Sequence, residues 1–126
     1  MKILKEDNKL KLQVSDEEVY DLHYSFRINM IYEAVTDKNL DIRSLVKITD
    51  WFLILHAVII ATLQYNKSSF KIGYEELMDV IDDCGGDEIM IEFMAWFIKQ
   101  LGIQDELMPK IQEEEKKTRS RKKTHR

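Results

Sequence analysis

Trp51 to Leu63 reads WFLILHAVIIATL, and every side chain in it is apolar except His56 and Thr62. No formally charged residue occurs between Asp50 and Lys67. As a helix this run has almost no solvent face, so its neighbours must cover it on every side. Its thirteen residues, rising ~1.5 Å each, span about 20 Å, short of a ~30 Å hydrocarbon core. The run therefore predicts a buried central helix rather than a membrane span. Thr49 or Asp50 is placed to cap its start through a side-chain oxygen. Asn66 to Ser69 is its natural stop.

A chain of 126 residues suits one domain around that helix. Only one proline and four glycines interrupt it, which favours helix over a loop-rich design. The start, Met1 to Asp7, turns charged before an apolar run can build, so no leader segment is expected. Cys84 is the lone cysteine, which rules out an internal disulfide and fits a reducing cytoplasm. The net charge of −4 conceals an asymmetry. Lys116 to Arg126 carries seven Lys and Arg and no acid, which leaves −11 on the remainder. An acidic body argues against binding nucleic acid, because phosphate contacts need clustered positive charge.

Met1 to Val14 reads as a β-hairpin. Leu10, Leu12 and Val14 alternate with Lys9, Lys11 and Gln13, the period of a half-buried strand. Glu6-Asp7-Asn8 is the turn, since Asp and Asn tolerate left-handed backbone. Ser15 with Glu18 also fits a capping box. The alternation of Tyr20, Leu22, Tyr24 and Phe26 with polar residues instead favours a strand over Glu18 to Tyr24. Ser25 then caps a helix to about Val35, with Phe26, Met30 and Ala34 at i, i+4 and i+8 as its core stripe and Ile31 and Val35 extending it. Leu40 to Ile48 is expected to form one or two turns through Ile42, Leu45 and Ile48. A further helix runs from Tyr74 to Asp83 with Leu77, Met78 and Ile81 on one face. Asp87 caps the next, Glu88 to Gln100, which Gly102 terminates. Gln104 to Ile111 reads as a last short helix, and 112–126 as a disordered charged tail. The fold class is α+β, mostly α. An N-terminal hairpin or short meander over 1–24 precedes four to five helices over 25–111, in one domain.

No catalytic, metal or cofactor constellation emerges. His23, His56 and His125 lie far apart in sequence, without ligand spacing. The acidic group around Asp79, Asp82, Asp83, Asp87 and Glu88 does not fit a calcium loop: with Asp82 first, the third and fifth positions are Cys84 and Gly86. Cys84 has no base near it in sequence. The helix–glycine–helix run from Tyr74 to Gln100 presents Asp87, Glu88 and Glu92 where a DNA-reading helix presents Arg, Asn or Gln. The tail residues Lys116, Lys117, Arg119, Arg121, Lys122, Lys123 and Arg126 offer at most weak, salt-sensitive contact with nucleic acid. The last long helix holds more apolar residues than one core stripe needs. Met90, Phe93, Met94, Trp96 and Phe97 combine adaptable thioethers with aromatic anchors, so this helix either grips another protein or packs on the central helix, on different faces.

The run from Tyr20 through Tyr24-Ser25-Phe26-Arg27 to Glu33 resembles the opening of the tail assembly chaperones of long-tailed bacteriophages and prophages. In that family a short strand enters a helix through a Tyr-Ser-Phe-Arg-like step. The helix ends near an acidic residue and a Thr-Gly-Lys-like turn. Here the turn is Thr36-Asp37-Lys38, with Asp where many members have Gly. The similarity continues through Thr49-Asp50, Ala61-Thr62-Leu63, Phe70, Tyr74 to Asp82, and Phe93 with Trp96. It covers roughly Val19 to Gln100 and leaves out the first strand and the basic tail.

The resemblance implies a non-enzymatic role without cofactors in the cytoplasm of a bacterial host. Such chaperones bind the long helical tape measure protein, keep it soluble, help recruit tail tube subunits and then leave. Self-association is compatible with the family. Members are often made in two lengths through a ribosomal frameshift near the 3′ end, and Lys116-Lys117 and Lys122-Lys123 are where adenine-rich codons would allow one.

Overall fold

The computed structural model describes residues 1–41, 43 and 47–102. The turns expected at Ile42 and Leu45, the short helix expected over Gln104–Ile111 and the basic tail fall outside the described residues. The chain divides into two compact units, Met1–Met94 and Ala95–Arg126. The class is α+β and mostly α: among the described residues, three antiparallel strands precede four helices.

The first strands are β1, Lys2–Glu6, and β2, Lys9–Gln13. They pair from Glu6↔Lys9 to Lys2↔Gln13 across a two-residue loop. Asp7 and Asn8 both take positive φ, 51° and 62°. Two left-handed residues make the turn whose twist matches that of the strands. Ile3, Leu10 and Leu12 are buried on the inner face.

The third strand, β3, is Val19–Asp21, paired to β2 in the sheet order β1-β2-β3. It is shorter than the expected strand to Tyr24. The reason lies at Leu22 and His23. Leu22 turns into the core, and the N–H of His23 donates to Oγ1 of Thr62 at 2.9 Å, on a helix rather than a strand. The Ser15–Glu18 segment is a loop, not a helix start. The N–H of Val14 donates to the Glu18 carbonyl at 2.9 Å, and the N–H of Glu18 to the Ser15 hydroxyl at 3.2 Å.

Helix α1 is Arg27–Thr36. No side chain caps it, contrary to the expectation for Ser25; it begins instead on the carbonyls of Ser25 and Phe26, which accept from Ile28 and Asn29. Its buried residues are Ile28 and Tyr32. The expected core stripe is therefore on the wrong side. At 100° per residue, Phe26, Met30 and Ala34 lie opposite the face centred on Ile28 and Tyr32. Each set has i, i+4 spacing, and α2 took the second.

Helix α2 runs from Ile48 to Tyr65, 18 residues, five more than the apolar run. Its N-cap is Lys47, with no side-chain bond, so Thr49 and Asp50 sit inside the first turn rather than capping it. Asp50 there meets the positive helix end. At 18 residues α2 meets the length and composition of a membrane span, so shortness does not set it apart from one; 56% of it is buried inside the structure. Trp51, Ile54, Leu55, Val58, Ile59 and Leu63 form the centre of the core.

Both buried polar residues of α2 are satisfied. Nε2 of His56 is 2.9 Å from the carbonyl of Ile72, which accepts only, so Nε2 carries the proton. The Thr62 hydroxyl donates to the Val58 carbonyl at 2.8 Å while accepting from His23. The helix closes in a Schellman motif. The N–H of Ser68 reaches the Leu63 carbonyl at 2.9 Å and that of Lys67 the Gln64 carbonyl at 3.1 Å, with Lys67 at φ 55°.

Helix α3 is Tyr74–Cys84 and ends at Gly85, φ 120°. Leu77 and Ile81 are buried, but Met78, expected beside them, is exposed. Helix α4 is Asp87–Leu101, so Asp87 is its first residue rather than its cap. Gly102 ends it at φ 67°, with its N–H on the Lys99 carbonyl at 3.2 Å. In the first unit Phe93 meets Trp51 edge-on at 6.5 Å, and Tyr74 meets Phe52 at 4.9 Å.

Candidate functional site

The α4 residues singled out by composition are largely withdrawn from solvent. Met90 is 4%, Phe93 0% and Phe97 1% exposed. Met94 and Trp96 are half-buried, and Trp96 lies beside Phe97 at 6.4 Å. The apolar excess of α4 is thus mostly spent on burial. The tail cations Lys116 to Arg126 lie outside the described residues.

Exposed apolar side chains are aligned along α1 and its N-cap. Phe26 is 74% and Met30 62% exposed, and Ala34 continues the line one turn further on. Val35 is also exposed, away from that line. Large apolar side chains aligned on the solvent face of a short helix mark a contact surface better than scattered ones do. Helix packing explains why they sit there. α1 turned Ile28 and Tyr32 onto α2, which leaves the second stripe of the same helix outward.

Beside Phe26 an open cleft of ≈ 450 Å³ continues the surface. Phe26, Ala61 and Tyr65 line it together with the polar His23, Arg27 and Gln64. The His23 ring stacks on that of Tyr65 at 3.7 Å and 12°, which fixes the orientation of an otherwise exposed tyrosine. Arg27 reaches Oε1 of Gln64 at 3.1 Å and so ties α1 to the end of α2. Glu33 borders the apolar line on one side and Arg27 on the other. The surface offers apolar ridges, an adjacent cleft and both signs of charge, which suits an amphipathic helix laid across it.

The site was legible in part. The Phe26-Met30-Ala34 spacing was visible but read as core. Tyr65 was missed, because its neighbours in sequence belong to the buried helix. Its position in the last turn of α2, one residue before the polar stop, is the signal that it faces out.

Elsewhere the polar chemistry is structural. The Tyr20 hydroxyl donates to Oε2 of Glu18 at 2.8 Å, and the Ser68 hydroxyl donates to the same oxygen at 3.0 Å. That bond to Glu18, then burial and the carboxylate charge, raises the Tyr20 phenol above its usual value. Burial, followed by the charge of Asp50, raises Tyr32. Among the described residues no three His, Cys, Asp or Glu side chains cluster closely enough to hold a metal ion.

Comparison with family models, curated proteins and solved structures finds no match.

Proposed function

We propose that this protein is a tail assembly chaperone of a long-tailed bacteriophage or prophage. It holds an apolar helix of the tape measure protein on the α1 face, keeps that protein soluble, and helps recruit tail tube subunits. It acts in the host cytoplasm as a binding protein, without catalysis or a cofactor. The observation that carries this reading is the outward stripe Phe26-Met30-Ala34, continued by the cleft at Tyr65. Masking apolar area on an aggregation-prone helix removes its drive to self-associate, and this surface has the chemistry to do so. Phe26 and Met30 fall within the Tyr20–Glu33 run that resembles the family, and Ala34 directly follows it. Asp37, where many members have glycine, stands at φ 59°, a conformation that favours glycine. The family's preference at that position thus has a backbone reason in this fold.

The test is co-expression with the tape measure protein of the same genome. The expected result is a soluble complex that survives moderate salt. Phe26→Asp with Met30→Asp should abolish it while the free domain stays folded, and Met94→Asp should leave it largely intact. An insoluble tape measure protein, with this chain alone in the supernatant, would overturn the phage role and favour a helix-binding adaptor. Binding of nucleic acid that collapses with salt and with removal of Lys116 to Arg126 would instead support an accessory acting through the tail.

A further inference from the structure

β1 is an edge of the sheet, and among the described residues β2 is its only strand neighbour. The hairpin register decides which of its backbone groups remain free. The two-residue loop makes Glu6 and Lys9 a hydrogen-bonded pair, and such pairs alternate along an antiparallel ladder. Lys2, Leu4 and Glu6 therefore direct their N–H and C=O groups at β2. Those of Ile3 and Lys5 point out of the sheet. A cleft of ≈ 550 Å³ lies at this edge, with Ile3, Leu4 and Lys5 on one side and Ile91 and Glu92 on the other, where the Glu92 carboxylate accepts from the Lys5 ammonium at 2.6 Å. A row of free backbone groups beside an open cleft is a template for one more strand.

The sequence of β1, Lys-Ile-Leu-Lys-Glu, is complementary to itself when reversed. Placed antiparallel to a copy about Leu4, it sets Ile3 against Lys5, Leu4 against Leu4 and Lys2 against Glu6. This register uses the free groups, because Ile3 and Lys5 are the residues whose backbone points outward. It also puts opposite charges face to face at both ends and leucine on leucine at the centre. Slipping the register by two residues one way sets Lys5 against Lys5. Slipping it the other way sets Lys2 against Leu4 and loses both charge pairs. Opposite charges directly across a ladder stabilise it, and like charges destabilise it.

We propose that β1 pairs with β1 of a second copy of this chain, about a two-fold axis through Leu4. The two three-stranded sheets join into one continuous sheet. Ile91, 63% exposed at the far wall of the cleft, borders the incoming strand. The interface is isologous, as a two-fold dimer requires. It is separate from the α1 face, so it stands or falls independently of the chaperone reading.

Sedimentation and light scattering of the full chain test this. The expected result is a dimer whose dissociation constant rises roughly tenfold or more for Lys2→Glu and likewise for Glu6→Lys. The double variant K2E/E6K restores it, because the pairs are then reversed rather than lost. Circular dichroism checks that each variant is folded. In a Cys84→Ser background, Leu4→Cys should form a disulfide-linked dimer on mild oxidation, since facing residues of a non-hydrogen-bonded pair lie ~4.5 Å apart at Cα, within disulfide range. Lys2→Cys in the same background should stay uncrosslinked. A monomer at every concentration overturns the proposal. So does a dimer indifferent to both charge reversals, or one that Leu4→Cys fails to link.

Discussion

The backbone N–H of His23 donates to the hydroxyl oxygen of Thr62 across 39 positions of sequence, at 2.9 Å. That bond ends the sheet and fixes where the chain leaves it for α1. It also explains why a hydroxyl is buried in the last turn of α2. Thr62 is 0% exposed and bonds twice, to His23 and to the carbonyl of Val58.

Thr62→Val keeps the shape but removes the acceptor, leaving the His23 N–H without its partner. The expected loss is about 1–3 kcal/mol, the cost of a buried unsatisfied donor. Thr62→Ser keeps the oxygen and gives up one buried methyl, about 1 kcal/mol. Urea unfolding of the two variants should show the larger loss for valine, although valine is the more apolar. Equal losses would mean that the bond contributes little.

Folding and binding should separate along the surface. Phe26→Asp or Met30→Asp is expected to change stability by no more than about 0.5 kcal/mol, as for other exposed positions. Phe93→Ala, at 0% exposure against Trp51, should cost about 3–5 kcal/mol. Thermal melts decide this. A large loss at Phe26 would place it in the core of the folded protein and remove it as a contact residue.

Stability should fall on the alkaline side. Burial and the charge of Asp50 raise Tyr32, and the bond to Glu18 leads the rise at Tyr20. A phenol raised in the folded state holds its proton more tightly there than in the unfolded chain. Its contribution is complete below the unfolded value, ~10, and is lost as pH rises through the higher folded value. Melting temperature should therefore decline above about pH 10. Tyr32→Phe should flatten part of that decline, and absorbance titration of the phenolates should show two late-ionising tyrosines.

Glycine should be welcome at two helix ends. Asp37 at φ 59° and Lys67 at φ 55° both hold left-handed backbone with a side chain attached. Asp37→Gly and Lys67→Gly are each expected to raise stability by several tenths to ~1 kcal/mol, more at Lys67 because aspartate tolerates this region better than lysine. Denaturant midpoints would check the order. A loss at either position would mean that unfolded-chain entropy outweighs the relief of strain.

The hairpin, the central helix and the glycine stops were legible because each had one dominant signal. Alternation at Leu10 and Leu12 named the inner face of β2. An uncharged run named α2. α1 was harder. Its apolar residues form two stripes of equal spacing, Phe26-Met30-Ala34 and Ile28-Tyr32, and only the position of α2 chooses between them. β3 was overextended because alternation continues past the point where His23 leaves the ladder for Thr62. α4 is apolar nearly all round, so its sequence could not say which residues face out. The capping residues were placed too late in the chain at α2 and α4, since α2 begins before Thr49 and α4 begins at Asp87 itself.

The position of α2 in the middle of the chain has a consequence for how the protein is made. Its cover comes from both directions: β1 to α1 precede it, and α3 and the first turns of α4 follow it. A nascent chain that has emerged only as far as Tyr65 carries the eighteen residues of α2 with the cover from α3 and α4 still unsynthesised. Trp51 can meet Phe93 only after the first turns of α4 have been made. A pause or truncation anywhere before α4 therefore yields a product that itself requires chaperoning.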